Sequence, residues 1–182
     1  MWRSFFSRAK FLCGSLSALV LLASAALLVS MPASADQLAA GAAAFNRQDY
    51  VRAAAIFTPL AEVEHDARAQ AYLGFMYQNG RGVPQSFEEG ARLYRASAEQ
   101  GFPPAQYMFG LMYDKGQGVP QDYVLAYMWV TLAVAGASPK ERPAWTRVRD
   151  AIASKLTLAQ RSFGQRLALG KPTLRVPSSW PW

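Results

Sequence analysis

One stretch of the chain is written twice, and the distance between the copies never changes. Residues 71–94 read A-Y-L-G-F-M-Y-Q-N-G-R-G-V-P-Q-S-F-E-E-G-A-R-L-Y, and residues 107–130 read Y-M-F-G-L-M-Y-D-K-G-Q-G-V-P-Q-D-Y-V-L-A-Y-M-W-V. Gly74 falls on Gly110, Tyr77 on Tyr113, Gly80 on Gly116, and Gly82-Val83-Pro84-Gln85 on Gly118-Val119-Pro120-Gln121, always 36 residues apart. A fixed period of this size is the signature of a solenoid. Its units cannot bury their own apolar faces alone and fold by stacking on their neighbours.

Each unit reads as a helical hairpin. A first helix over about Ala67–Gln78 places Ala71, Gly74, Phe75 and Tyr77 at helical spacing. Glycine inside a helix costs about 1 kcal/mol against alanine. Its recurrence at Gly74 and Gly110 therefore predicts a close crossing with the second helix. Gly80 and Gly116 are placed to end the first helices in a left-handed conformation. Pro84 holds Val83 extended before the second helix, which Ser86 caps with Glu89 as its reciprocal partner. Asp122 is the equivalent cap one period on. The G-R-G-V-P and G-Q-G-V-P loops are structural turns. No lysine and hydroxyl pair follows either of them and no apolar strand precedes them, as a phosphate-binding loop requires.

These residues resemble the Sel1-like repeat, a tetratricopeptide relative with a longer loop inside the hairpin. The resemblance rests on Ala71, Leu73-Gly74, Tyr77, Gly80, Gly82-Val83, Leu93-Tyr94, Ala98 and Gly101, then on Gly110, Tyr113, Gly116, Gly118-Val119, Ala126 and Trp129. The sequence departs from the family pattern at Gly90, where alanine is usual, and at Phe109, where leucine is usual. The resemblance implies an all-α fold: a right-handed α-solenoid of Sel1-like hairpins with closing C-terminal helices. It also implies binding-scaffold work in envelope, secretion or signalling systems, and it supplies no catalytic residues. In such hairpins the first helices line the concave side. That makes Gln70, Gln78, Gln106 and Asp114, which lie between the repeat-defining positions, the expected protein-binding residues. Some secreted members staple each hairpin with a cysteine pair, and this chain does not.

The chain opens with Arg3, Arg8 and Lys10, an uncharged run from Phe11 to Met31, and Ala33-Ser34-Ala35. This is the layout of a secretory signal peptide over residues 1–35, cleaved after Ala35 to release a periplasmic protein. The alternative is an uncleaved anchor, since about 20 apolar residues span a bilayer. Cys13 is the only cysteine and lies at the start of the apolar run, so neither lipidation at the cleavage site nor a disulfide is expected. The exported chain must be held by helix stacking alone.

Residues 36–66 read as an atypical terminal hairpin. Leu38, Ala42 and Phe45 mark its first helix, Asn46–Asp49 the turn, and Ala53, Phe57, Leu60 and Ala61 the second helix, with Pro59 near its end. Two full repeats follow, at residues 67–102 and 103–138. Residues 139–170 read as closing helices. Ser138 is the expected cap of the first, with Pro139 at its first position and Glu141 three after the cap, and Thr157 is the cap of the last. Residues 171–182 form a Pro/Trp-containing tail in which Trp180 and Trp182 fold back on the solenoid, meet a partner or belong to an inert terminus.

Charge is unevenly placed. Residues 36–139 hold seven basic and ten acidic side chains, and residues 140–182 hold nine basic and two acidic. Arg147, Arg149, Lys155, Arg161 and Arg166 can form a basic stripe. The plain reading is a solvated charged face; export argues against a nucleic-acid partner for it, leaving peptidoglycan or an anionic membrane surface as the alternative to a protein or peptide partner in the envelope. His65 is the sole histidine and has no convergent ligands in sequence, so no metal is expected. No nucleophile with its base, no inward carboxylate pair and no cofactor loop is present. The expectation is a protein that is not an enzyme and takes no cofactor and no small-molecule substrate.

Overall fold

The structure, a computed structural model, describes residues 34–170. The charged start and apolar run within residues 1–33, and the tail with Trp180 and Trp182, lie outside the described residues. Those residues fold as an all-α solenoid of helical hairpins. Its helices are α1 (Ser34–Asn46), α2 (Tyr50–Glu62), α3 (Ala67–Asn79), α4 (Phe87–Glu99), α5 (Pro103–Lys115), α6 (Tyr123–Gly136), α7 (Arg142–Ser154) and α8 (Leu158–Leu169). Helices α3 and α4, and α5 and α6, make the most extensive pairs. Helix α2 packs on α3, α4 on α5, and both α7 and α8 on α6.

The long loop is the same object in both repeats. Gly80 and Gly116 take φ of 64° and 66° and close α3 and α5. The Ser86 N–H donates to the Tyr77 carbonyl at 3.0 Å, and the Asp122 N–H to the Tyr113 carbonyl at 3.0 Å. The Gln85 amide donates to the Gln78 carbonyl at 2.9 Å, and the Gln121 amide to the Asp114 carbonyl at 2.8 Å. Ser86 and Asp122 then cap α4 and α6.

Gly82 and Gly118, at φ of 72° and 68°, serve a different contact. A Cβ on Gly82 would collide with the Tyr50 carbonyl group at the start of α2, and one on Gly118 with the Phe87 carbonyl group at the start of α4. Each loop thus docks, backbone on backbone, against the second helix of the preceding hairpin.

Within the hairpins the helices cross at glycine. A Cβ on Gly74 would lie 3.2 Å from the Tyr94 ring and 3.3 Å from the Gly90 carbonyl oxygen. A Cβ on Gly110 would lie 2.6 Å from Val130 and 3.1 Å from the Ala126 carbonyl oxygen. The core runs in two large clusters and a small third one around Ala133, Ala137 and Trp145. Of the large ones, one holds Leu38, Phe57, Leu60, Leu73, Met76 and Leu93, and the other Tyr94, Phe109, Met112, Trp129, Val130 and Ile152. Leu93 and Tyr94 are neighbours in α4 that face different clusters, so this helix joins the two. Trp145 of α7 stacks on Tyr107 at 4.8 Å and closes the last hairpin.

Two local expectations are corrected. Glu89 does not complete a capping box with Ser86. Ser86 accepts from the Glu89 N–H, but the Glu89 carboxylate accepts from Arg92 at 2.9 Å, an ion pair that competes with the cap. Helix α7 starts at Arg142, not at Pro139. Ser138 and Glu141 do bond reciprocally, but they close a turn over residues 139–141, and the proline in the first turn of the helix is Pro143.

Candidate protein-binding groove

Two of the three glutamines expected on the binding surface are interior. Gln70 is 4% exposed and Gln106 is 8% exposed. The Gln70 amide donates to the Ala61 carbonyl at 3.2 Å and the Gln106 amide to the Ala98 carbonyl at 3.2 Å. Each first helix thus reaches back to the last turn of the second helix before it. A buried carbonyl near a helix end needs such a donor, which is why a polar residue is held inside. Gln78 and Asp114 are also engaged. Gln78 Oε1 accepts from the Tyr94 hydroxyl at 3.3 Å, and Asp114 pairs with Lys155 at 2.7 Å, tying α5 to the end of α7. All four serve as joints of the solenoid, Gln70 and Gln106 buried and Gln78 and Asp114 half-buried. Trp180 and Trp182 lie outside the described residues.

The open apolar surface is elsewhere on the same first helices. A groove of about 410 Å³ is lined by Phe45 of α1, Arg68, Ala71, Tyr72 and Phe75 of α3, Pro104 and Met108 of α5, with Phe102 at the cap of α5 and Tyr94 of α4. Helix α3 has two stripes. Ala69, Leu73 and Met76 are buried, whereas Arg68, Tyr72 and Phe75 follow one another at helical spacing on the groove side.

The groove wall is held rigidly. Phe45 meets Tyr50, Tyr72 and Phe75 edge-on at 5.4, 5.2 and 5.6 Å. Tyr72 stacks on the fully buried Phe57 at 4.7 Å. Arg81 lies over Tyr50 at 5.1 Å and Phe75 at 5.3 Å and donates to the Tyr50 hydroxyl at 2.8 Å. Aromatic pairs of this kind contribute about 0.5–1.5 kcal/mol each beyond area burial. The wall is therefore formed before anything binds. In the sequence Phe45 and Phe75 read only as helix markers, and Tyr72 and Met108 do not stand out. The signal available is the second apolar stripe of α3, offset from the buried one.

A second depression, of about 230 Å³, follows the seam where the Gly118–Pro120 loop meets α4. Its guanidiniums are committed. Arg92 bridges Glu62 at 2.6 Å and Glu89 at 2.9 Å, and its pKa is raised chiefly by the hydrogen bond it donates to Glu62. Arg95 pairs with Glu99 at 3.0 Å. The basic stripe of the closing helices is similarly interrupted. Lys155 pairs with Asp114, Arg149 with Asp150 at 2.7 Å, and Arg161 donates to the Leu156 carbonyl at 3.3 Å.

The perturbed groups have no acid–base geometry. Burial pushes the Tyr94 and Tyr107 phenols up, and that of Tyr113 up to about 12. Among the described residues no group of three or more His, Cys, Asp or Glu side chains could hold a metal ion. None of their helices is long and apolar enough to cross a membrane.

Stacked hairpins with interior joints and an open apolar groove define a repeat scaffold. The Sel1 repeat model matches residues 67–102 and 103–137, so these two segments are similar to Sel1 repeats. The chain is similar to the crystal structure of c5321, a protective antigen present in uropathogenic Escherichia coli strains that displays an SLR fold. The TM-score is 0.68 at 28% identity, over 75% of this chain and 29% of that one. It is also similar to a Sel1 repeat protein from Oxalobacter formigenes, with a TM-score of 0.50 at 31% identity over 54% of this chain and 40% of that one. The chain thus spans well under half the length of either structure. No curated protein matches it.

Proposed function

We propose that the protein is an exported, non-enzymatic scaffold of the cell envelope whose first-helix groove receives a segment of a protein partner. The preformed aromatic wall of Phe45, Tyr72 and Phe75 is the observation that carries this reading. A concave apolar surface that is already ordered loses little conformational entropy on binding, and it suits an apolar helix or extended peptide. Export rests on the basic start, the uncharged run from Phe11 to Met31 and the Ala33-Ser34-Ala35 triplet.

The test is site-specific photo-crosslinking of the full chain in intact cells, with the probe at Tyr72 or Met108 and a control probe at Val51, which is 73% exposed on α2. A recurrent protein adduct from the groove positions alone is expected. Adducts equally frequent from all three positions, or none from the groove, overturn the reading. N-terminal sequencing of the envelope-purified protein is expected to begin at Asp36, and an intact N-terminus in washed membranes would instead mean an anchor.

A further inference from the structure

We infer that the groove selects peptide segments carrying a carboxylate about one helical turn from apolar side chains, and that Arg68 reads the carboxylate. This rests on the binding reading above. Among the residues lining the groove Arg68 alone is charged, so the site has a sign. Its side chain is 56% exposed, and its ion-pair partner Asp66 stands at 3.7 Å. One Asp66 oxygen caps α3 by accepting from the Arg68 and Ala69 N–H groups at 2.9 Å each, and the other faces the guanidinium at 3.7 Å, beyond hydrogen-bond distance. The guanidinium therefore keeps donors for an incoming oxygen pair, and a planar fork fits a carboxylate in bidentate fashion. Arg81, by contrast, is fixed on Tyr50 and Phe75.

Spacing sets the register. Arg68, Tyr72 and Phe75 rise along α3 at about 1.5 Å per residue, so the charge stands roughly one turn from the first aromatic surface and two from the second. A segment laid along this stripe meets the guanidinium with an Asp or Glu and the rings with aliphatic or aromatic side chains three or four and seven residues away. Neighbouring apolar walls lower the local dielectric and strengthen that single charged contact relative to one in open water.

The test pans a displayed library of random dodecapeptides on the full chain, then measures the enriched peptides against Arg68→Glu, Arg68→Lys and Tyr72→Asp. Enriched peptides are expected to carry an acidic residue three or four positions from an apolar one. They should bind Arg68→Glu at least tenfold more weakly and Arg68→Lys with an intermediate loss. Changing the peptide acid to lysine should restore binding to Arg68→Glu. If peptides need Tyr72 but show no acidic preference and ignore Arg68→Glu, this inference is overturned while the groove stands. If no peptide depends on either residue, both readings fall. If sodium decanoate binds in an Arg68-dependent way and no peptide does, the peptide occupant is overturned in favour of an acyl chain.

Discussion

Gly82 sits against the carbonyl group of Tyr50 more closely than any residue with a side chain can, and it does so at φ 72°. Gly118 repeats the relationship with Phe87 one period later. The glycine in this loop is required twice over, by the left-handed backbone and by the neighbouring hairpin. Gly101, at φ 85° with nothing within 4 Å of where a Cβ would stand, is required once. Gly82→Ala and Gly118→Ala should each cost about 2–4 kcal/mol, the backbone penalty plus overpacking. Gly101→Ala should cost about 1–2 kcal/mol. Urea unfolding midpoints check the order, and equal losses at all three sites would remove the inter-hairpin contact from the account.

The glycine crossings predict opposite signs. Gly90→Ala is expected to stabilise by up to about 1 kcal/mol through helix propensity. A Cβ there lies 3.2 Å from the Gly74 carbonyl oxygen, and the sister repeat holds Ala126 at the same place. Gly110→Ala is expected to destabilise by about 1–3 kcal/mol, because its Cβ would be 2.6 Å from Val130 in a filled core. Thermal unfolding of the two variants reads the difference directly.

How much of this is legible in the sequence follows from what each feature depends on. The 36-residue period, the left-handed Gly80 and Gly116, and the caps at Ser86, Asp122 and Thr157 depend on short stretches of chain, and sequence spacing reports them. Gln70 and Gln106 mislead because a glutamine on a helix looks exposed until the carbonyl it must serve is placed, and that carbonyl belongs to the preceding hairpin. Phe45, Tyr72 and Met108 come from three hairpins, so nothing local in sequence brings them to one groove. Helix α7 starts later than its sequence signal because the Ser138–Glu141 pair stabilises a turn as readily as a helix end.

Replacing the interior glutamines tests their reassigned role. Gln70→Leu removes the side-chain donor to the Ala61 carbonyl, a loss of about 1–3 kcal/mol, whereas the Ala98 carbonyl keeps the Gly101 N–H at 2.9 Å, so Gln106→Leu should cost less. Neither residue lines the groove. Peptide binding measured well below the unfolding transition should stay within about twofold of the wild-type protein, a free-energy change under about 0.5 kcal/mol. Loss of binding without loss of stability would return these residues to the recognition surface.

Alkaline pH should unfold the protein through its buried phenols. An unfolded tyrosine titrates near about 10, whereas burial raises Tyr113 to about 12 and pushes Tyr94 up as well. The folded state holds these protons more tightly than the unfolded state. The stability they contribute is therefore complete below about pH 10 and falls as pH rises through the interval up to about 12. Tyr113→Phe removes one titration and should move the alkaline midpoint upward, measured by circular dichroism with the tyrosinate absorbance recorded alongside. An unmoved midpoint would mean that the Tyr113 phenol does not resist ionisation in the fold.

The loop that docks on Tyr50 and the loop that docks on Phe87 make the same seam, so this array has no length of its own. A further 36-residue copy placed after residue 102 would meet an identical landing site on one side and offer an identical one on the other. The aromatic channel would grow by one pitch and leave its existing contacts in register. The closing helices, through the stack of Trp145 on Tyr107 and the Lys155–Asp114 pair, say where counting stops. A chain of this kind behaves as a ruler cut to size, and its reach along a bound partner can change by whole divisions in a single duplication or deletion.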